Sequence, residues 1–150
     1  MRIRPGRSEE AGALTELALR SKAHWGYDEA FLAACRAELT LTRGDLADGR
    51  TAVAEEDGRV LGFTTLAGDP PEGALAMMFV EPDVIGRGVG RLLYAHTVGA
   101  ARRCGFVRLT VDADPHAEAF YRAMGARRTG SVPSGSVPGR ELPRLEIALG

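Results

Sequence analysis

The chain has 150 residues, the size of one ordinary domain, and its 45% hydrophobic and 26% charged content are typical of globular proteins. Nineteen Lys and Arg residues against 20 Asp and Glu residues give a formal net charge of −1. This balance argues against nucleic-acid binding, which usually requires a basic surplus. The N-terminus has no signal-peptide pattern, and no apolar run approaches membrane-spanning length. We therefore expect a single cytoplasmic domain over residues 1–150, with no nucleic-acid or membrane partner.

The first third of the chain predicts one strand and two helices. Residues 2–5 are predicted as a strand, and residues 9–23 as a helix with Ser8 as its N-cap. Asp28 is predicted to cap a second helix, and residues 40–49 are predicted as a loop. The apolar side of the second helix is expected to contain Phe31, Leu32, Cys35 and Leu39.

The middle of the chain predicts a hairpin followed by a buried strand. Strands at 51–56 and 59–67 flank Asp57 and Gly58, the pair that a type I′ turn prefers. Residues 74–80 form a continuous apolar run, which is typical of a strand covered on both faces.

A long helix is predicted over residues 88–104, ended by Gly105 and followed by a strand at 106–112. Together with the strand at 74–80 it forms a strand–helix–strand unit, which predicts a right-handed crossover between two parallel strands. Cys35 and Cys104 are expected to be buried free thiols. The inward side of the long helix is expected to contain Val89, Leu92, Leu93, His96, Ala100 and Cys104.

The last third predicts a short helix and two closing strands. Asp114 and Pro115 are an N-cap and a first helical residue, and strands are expected at 126–131 and 144–149. The inward side of the short helix is expected to contain Ala117, Phe120, Tyr121 and Met124. The whole order predicts an α/β domain of the α+β type, with a mixed, mostly antiparallel sheet, one parallel pair and about four helices.

Three glycines, Gly86, Gly88 and Gly90, stand where the buried strand gives way to the long helix. The first N–H groups of a helix have no intrahelical partner, and glycine leaves room for an anion to approach them. Arg87 and Arg91 add positive charge. This segment is therefore predicted to bind a phosphate group through its main chain.

Two common phosphate motifs do not fit this segment. A P-loop requires Lys and then Ser or Thr after its last glycine, whereas Gly90 is followed by Arg91 and Leu92. The dinucleotide-binding fingerprint requires its last glycine three positions after the second, whereas Gly90 comes only two positions after Gly88. Asp112 matches the ribose-binding acid of that fingerprint only loosely.

The third candidate is the pyrophosphate loop of acyl-CoA-dependent N-acetyltransferases. The run Val80-Glu81-Pro82-Asp83-Val84-Ile85-Gly86-Arg87-Gly88-Val89-Gly90 resembles the motif of the GNAT superfamily, the GCN5-related N-acetyltransferases. That motif is Val-x-Pro-x-x, then Gln or Arg, then Gly-x-Gly-x-Gly or Ala. Ile85 departs from it, but a loop that acts through main-chain donors should tolerate this change.

A second block also resembles the family, whose pattern is Asn-x-x-Ala-x-x-Phe-Tyr followed by Gly after three residues. The match runs from Asp114 through Ala117 to Phe120 and Tyr121, and ends at Gly125. Asp114 replaces the Asn and keeps its capping ability. The two blocks and the element order together resemble the GNAT superfamily. A bacterial GNAT subgroup of unassigned substrate is resembled by the combination of Trp25-Gly26-Tyr27, residues 112–116, and Gly139-Arg140-Glu141-Leu142-Pro143.

The resemblance implies acetyl-CoA as co-substrate, bound between two splayed parallel strands. No metal is expected, because the three histidines and the acidic residues show no metal-ligand spacing. A main-chain N–H near Met78 to Val80 would polarise the thioester carbonyl. The residues implied to bind the cofactor are Met78, Phe79, Val80, Ile85, Gly86, Arg87, Gly88, Val89, Gly90, Arg91, Asp114, His116, Ala117 and Tyr121.

For catalysis, the resemblance implies Tyr121 as the acid that protonates the departing thiolate, although packing against the sheet would equally explain this residue. The strand at 74–80 offers no ionisable group, so Glu81 is the first candidate for the base. Glu72, His24 and His116 are the other candidates.

The resemblance also implies that the first two helices and the Pro-, Gly- and Ser-rich loop at 131–143 flank the acceptor cleft. The residues expected to contact the acceptor are Lys22, His24, Trp25, Tyr27 and Arg140. The leading hypothesis is acetyl transfer to a primary amine of a small molecule. The alternatives are a peptide or protein amine, or a module that binds acyl-CoA or a partner without catalysis. A homodimer is expected only by analogy with proteins of this fold.

Overall fold

A computed structural model describes residues 1–150 and has a seven-stranded sheet with helices on both faces. The strands follow the order β1-β2-β3-β4-β5-β7-β6 across the sheet. They are β1 (Arg2–Pro5), β2 (Thr51–Glu56), β3 (Arg59–Asp69), β4 (Glu72–Val80), β5 (Arg108–Asp112), β6 (Arg127–Pro133) and β7 (Glu141–Ala148). The helices are α1 (Ala11–Ala23), α2 (Glu29–Leu39), α3 (Arg43–Ala47), α4 (Val89–Arg103) and α5 (Glu118–Ala123). The predicted fold class is confirmed.

Every neighbouring pair of strands is antiparallel except β4 and β5, which are joined through α4. This is the predicted parallel pair. The turn between β2 and β3 is also as predicted, because Asp57 and Gly58 have φ angles of 51° and 79°. Both values lie in the left-handed region that a type I′ turn requires.

The parallel pair separates after one short stretch of pairing. Glu72, Gly73 and Ala74 pair with Arg108, Leu109 and Thr110, and no pairing continues beyond them. A bulge lies at the same place, because Leu66 of β3 faces Leu75 while Thr65 faces Met77, which leaves Ala76 without a partner. The bulge increases the local bend of β4, so a gap opens between its C-terminal half and β5.

Two main cores cover the two faces of the sheet. On one face, α1 and α2 pack on Val53 and Phe63. On the other face, α4 and α5 pack with Leu75, Leu109 and Leu145. No helix combines the length and the apolar character needed to cross a bilayer.

The buried side of α4 differs from the prediction by a rotation of the helix. Leu92 is 39% exposed, and His96 and Cys104 are exposed as well. The prediction missed four residues that α4 buries, namely Tyr94, Thr97, Val98 and Ala101. Thr97 lies with its Oγ1 2.7 Å from Oγ1 of Thr64, so its buried hydroxyl is satisfied. The residues that α4 buries are Val89, Leu93, Tyr94, Thr97, Val98 and Ala101.

Two further predictions are corrected. Residues 40–49 were expected to be a loop, but Thr42 and Asp45 form a capping box that begins α3. The apolar run of β4 was expected to be covered on both faces. Ala76 is exposed and Met77 to Val80 are only partly buried, because these residues border the gap.

Candidate active site

A cavity of about 940 Å³ occupies the gap between β4 and β5. Residues from both faces of the sheet line it. Phe120 and Tyr121 come from the side of α4 and α5, whereas Lys22, Trp25 and Glu38 come from the side of α1 and α2. A ligand can therefore reach the cavity from each face of the sheet, and the two routes meet in the gap between β4 and β5.

The glycine segment forms the mouth of this cavity. Gly86 and Gly88 have φ angles of 89° and 86°, a conformation that L side chains rarely adopt. A Cβ at either position would meet no atom within 4 Å, so open space faces both residues. Gly90 serves another purpose, because a Cβ there would lie 3.3 Å from Cε of Met78 and 3.4 Å from the ring of Phe120.

The main-chain donors of this segment are largely free. Hydrogen bonds run from the amides of Ile85, Arg87 and Leu92 to Pro82, Val84 and Gly88. None runs from the amides of Gly86, Gly88, Val89, Gly90 or Arg91 to a main-chain acceptor, and no side chain caps the start of α4. Adjacent free amides at the N-terminus of a 15-residue helix are a favourable environment for a diphosphate.

The two arginines of the segment behave differently. Arg91 lines the cavity. Arg87 does not, and its guanidinium lies 3.3 Å from the carboxylate of Glu56. Its predicted contact with the cofactor is therefore not supported by its position.

The open edge of β4 forms one wall of the cavity. Met78, Phe79 and Val80 all line it, as predicted, and beyond Ala74 the edge that faces β5 has no strand partner. An extended chain with amide groups, such as pantetheine, can use an unpaired strand edge of this kind.

Tyr121 lies on α5 with only 6% of its surface exposed, and it lines the cavity. Its ring packs against Phe120 and Tyr94 at centroid distances of 5.4 Å and 6.3 Å. Burial, together with the neighbouring Tyr94, raises the pKa of Tyr121. The phenol therefore stays protonated at neutral pH and can act as a proton donor.

Asp114 is the centre of a polar network at the α1–α2 side of the cavity. Its carboxylate accepts hydrogen bonds from the main-chain N–H of His116 at 2.9 Å, from Lys22 at 3.2 Å and from the hydroxyl of Tyr27 at 3.0 Å. Arg140 lies 3.5 Å away. Burial alone would raise the pKa of Asp114, but the bonds from His116 and the charge of Lys22 outweigh it and lower the pKa to about 2. A carboxylate so engaged is a poor direct ligand for the cofactor.

Aromatic rings surround this network. Trp25 and His116 stack with centroids 5.1 Å apart and planes within 5° of parallel, and Trp25 remains 39% exposed. Tyr27 stacks on Phe31 at 4.0 Å, and the guanidinium of Arg140 lies 4.7 Å from the centre of the Phe31 ring. The turn between α1 and α2 is thus held against the loop between β6 and β7.

Glu81, the predicted base, is placed away from the cavity. It is 7% exposed, and its carboxylate accepts a hydrogen bond from Nε of Arg20 at 3.2 Å and lies 3.8 Å from Arg59. Glu72 lies at the start of β4, where it pairs with Arg108. Neither residue lines the cavity, so their positions give no support to a role in deprotonating a substrate.

The remaining predicted acceptor residues divide into two groups. Lys22 and Trp25 line the cavity, whereas His24, Tyr27 and Arg140 do not. Tyr27 and Arg140 support the wall through Asp114, and His24 is an exposed residue whose ring meets the edge of Trp25. All the other predicted cofactor residues line the cavity: Ile85, Gly86, Gly88, Val89, Gly90, Asp114, His116 and Ala117.

Glu38 lines the cavity but was missed in the sequence. It lies on α2 and accepts a hydrogen bond from Ser136 of the loop between β6 and β7. The only sequence signal is its position one residue before Leu39, on the turn of α2 that ends near the sheet.

Comparison with known proteins agrees with this architecture. A GCN5-related N-acetyltransferase (Aminotransferase, Class-II) from Rhodopseudomonas palustris superposes with a TM-score of 0.80 at 25% identity, covering 99% of this chain and 95% of that one. YncA, a putative acetyltransferase from Salmonella typhimurium solved with acetyl-CoA, gives 0.69 at 24% identity and covers 100% and 94%. The PaiA N-acetyltransferase from Thermoplasma acidophilum, solved with coenzyme A, gives 0.77 at 16% identity and covers 98% of each chain.

No curated protein sequence matches the chain. The model of the acetyltransferase (GNAT) family matches residues 14–126, which include most of α1, the glycine segment and Tyr121. This span is about three quarters of the chain. The protein therefore belongs to the acetyltransferase (GNAT) family.

Proposed function

We propose that the protein is an acetyl-CoA-dependent N-acetyltransferase that acetylates a primary amine of a small molecule. One observation carries the proposal. The free amides from Gly86 to Arg91 open into the same cavity that contains Tyr121 and reaches the far face of the sheet. The proposal also includes the expectations drawn from the sequence. These are a single cytoplasmic domain, a homodimer, no metal, and no nucleic-acid or membrane partner.

The residues present suit coenzyme A. Five main-chain donors and Arg91 are available for the diphosphate, and no Cβ intrudes at Gly86 or Gly88. The unpaired edge of β4 from Met78 to Val80 would hold the pantetheine arm and supply an N–H to the thioester oxygen. One such donor is worth about 2.7–4 kcal/mol in the transition state.

Tyr121 would donate its proton to the sulfur of the departing thiolate. Desolvation raises the pKa of Tyr121, which alone would make it a weak acid. The same apolar surroundings disfavour a thiolate, so the thiol pKa rises with that of the phenol. Proton transfer between the two therefore remains feasible in the cavity.

The cavity favours a small acceptor. Trp25 and Glu38 line its α1–α2 side, and Pro133, Gly135 and Leu142 of β6, β7 and their connecting loop also line it. The volume of about 940 Å³ lies within the range of small-molecule sites, and the pantetheine arm would occupy part of it.

The test is thiol release from acetyl-CoA with a panel of small amines and amino-terminal peptides. We expect turnover with at least one small amine, and Tyr121→Phe should lower kcat by about 10²-fold or more while the Kd for coenzyme A stays the same. Tyr94→Phe is the matched control, because Tyr94 is buried nearby but does not line the cavity. Tight coenzyme A binding without turnover on any amine would instead indicate a binding module, and turnover on peptides alone would indicate a peptide acetyltransferase.

A further inference from the structure

We propose that His116, oriented by Asp114, is the general base that takes a proton from the acceptor amine. This assignment rests on the proposed function. It names a residue for the general base, a role that no residue of β4 fills. His116 lines the same cavity as Tyr121, so the two groups can serve opposite ends of one transfer.

The position of the imidazole is fixed from three sides. Its Nδ1 lies 2.9 Å from Oδ1 of Asp114. One face stacks on Trp25, and the edge of Tyr27 approaches at a centroid distance of 5.6 Å and an interplanar angle of 78°. The main-chain N–H of His116 also donates a hydrogen bond to Oδ1 of Asp114, so the backbone and the ring of His116 contact the same oxygen atom.

The carboxylate decides which ring nitrogen carries the proton. Asp114 is ionised at neutral pH, since its pKa is lowered to about 2, and an ionised carboxylate can only accept. Nδ1 must therefore be the N–H, and in the neutral ring Nε2 holds the free lone pair. No protein group forms a hydrogen bond with Nε2. A carboxylate that orients an imidazole in this way is the arrangement of many hydrolytic sites.

The base has a defined task. An alkylammonium of pKa about 10.4 cannot attack a thioester until it loses a proton. Nε2 of His116 accepts that proton, and Asp114 stabilises the resulting imidazolium. The amine nitrogen then bonds to the acetyl carbon, the carbon–sulfur bond breaks, and Tyr121 protonates the sulfur. The nitrogen releases its second proton as the amide forms, which restores the proton of Tyr121. Overall, an ammonium and a thioester become an amide, a thiol and one proton released to solvent from His116.

Charged and polar groups surround the ring. Asp114 is the carboxylate in contact with it, and Lys22 and Arg140 contact the same carboxylate at 3.2 Å and 3.5 Å. Tyr27 lies 3.2 Å from Nδ1 and is uncharged, because burial and its bond to Asp114 raise its pKa to about 12. The side chain of His116 is 43% exposed, so the proton can leave to solvent.

The decisive experiment is the pH profile of kcat/KM for the acceptor in the wild type, His116→Asn and Asp114→Asn. The Asn at 116 keeps an N–H where Nδ1 stands, so it preserves the bond to Asp114 and removes only the base. We expect this variant to lose about 10²–10⁴-fold in kcat/KM at neutral pH and to lose the acidic limb of the profile, with an unchanged KM for acetyl-CoA. Asp114→Asn should also lower kcat/KM, because the imidazole loses the ionised carboxylate that holds the proton on Nδ1 and orients the ring.

His96→Asn is the control, since His96 is exposed on α4 and does not line the cavity. It should leave rate and profile unchanged. A wild-type rate and profile in His116→Asn would overturn the assignment while the proposed function stands, whereas absence of turnover in the wild type would overturn both. Long-range ¹H–¹⁵N spectra of the wild type give a readout that does not depend on the variants folding. The neutral ring of His116 should carry its proton on Nδ1, and a proton on Nε2 would contradict the assignment.

Discussion

The hydroxyl of Tyr27 lies 2.6 Å from Nη2 of Arg140 and 3.0 Å from Oδ2 of Asp114. One phenol thus joins the turn after α1, the segment between β5 and α5, and the loop between β6 and β7. These segments come from distant parts of the chain and together form the α1–α2 side of the cavity.

Tyr27→Phe should weaken this junction. The change leaves Arg140 and Asp114 without their shared partner, and a hydrogen bond to a charged group contributes about 1.5–3 kcal/mol. We expect a fall of about 1–2 kcal/mol in the free energy of unfolding in urea. This value is below the range for a hydrogen bond to a charged group because the site is partly exposed. The KM for the acceptor should rise, and the KM for acetyl-CoA should not. Tyr94→Phe is the control, and equal effects of the two changes would contradict the role of the Tyr27 hydroxyl.

Gly88→Ala should affect both stability and coenzyme A binding. The left-handed φ of 86° at Gly88 costs an L residue about 1–2 kcal/mol, and the new methyl group would stand in the open space at the helix start. Gly12→Ala offers the contrast, because Gly12 lies inside α1 with no atom within 4 Å of its Cβ position. That change should stabilise the protein by about 0.5–1 kcal/mol.

Thermal unfolding and calorimetric titration of coenzyme A measure the two effects. Only Gly88→Ala should weaken the binding of coenzyme A. Equal affinity for coenzyme A in both variants would show that the N-terminus of α4 does not bind the diphosphate.

Glu81→Gln should lower stability and leave the chemistry intact. The carboxylate is 7% exposed and bonded to Arg20, with Arg59 nearby, so its loss should cost about 1–3 kcal/mol of unfolding free energy. Turnover should stay at the wild-type level, because Glu81 does not line the cavity. Glu16→Gln removes an exposed partner of Arg36 and should cost less than about 1 kcal/mol. A large loss of kcat in Glu81→Gln alone would restore Glu81 as a candidate base.

The pH dependence of stability should report on Asp114. Its pKa is about 2 in the folded protein against an ordinary value of 3.8. A lowered pKa contributes stability that is complete above the unfolded value and disappears as pH falls through the folded one. At 1.36 kcal/mol per pKa unit the contribution is at most about 2.4 kcal/mol. The difference in unfolding free energy between the wild type and Asp114→Asn should therefore shrink between pH 4 and pH 2, and a constant difference would contradict the network.

The sequence predicted the elements well where local signals were strong. Asp28 accepts a hydrogen bond from the main-chain N–H of Phe31, so the predicted cap of α2 is real. Likewise, Gly88 and Gly105 border α4 within one residue of the prediction. These positions depend on capping and on φ, which a short stretch of chain determines by itself.

Features that depend on tertiary contact could not be predicted in the same way. The burial of Thr97 on α4 requires Thr64 of β3 as its partner. The bulge at Ala76 appears only when β4 is placed in register with β3. Glu81 looked available at a strand end, yet Arg20, 61 residues earlier, occupies its carboxylate. Asp114 was expected to bind the cofactor, but Lys22 and Tyr27 reach it from the far side of the fold.

The most direct test of the account is the effect of coenzyme A on the backbone amide resonances of the ¹⁵N-labelled protein. We predict that coenzyme A causes large shifts of the amide resonances of Gly86, Gly88, Val89, Gly90 and Arg91. Pantetheine, which lacks the diphosphate, should shift only residues along β4. Coenzyme A that leaves those five amides unmoved, or that shifts residues outside the cavity, would contradict the assignment of the helix start as the diphosphate site.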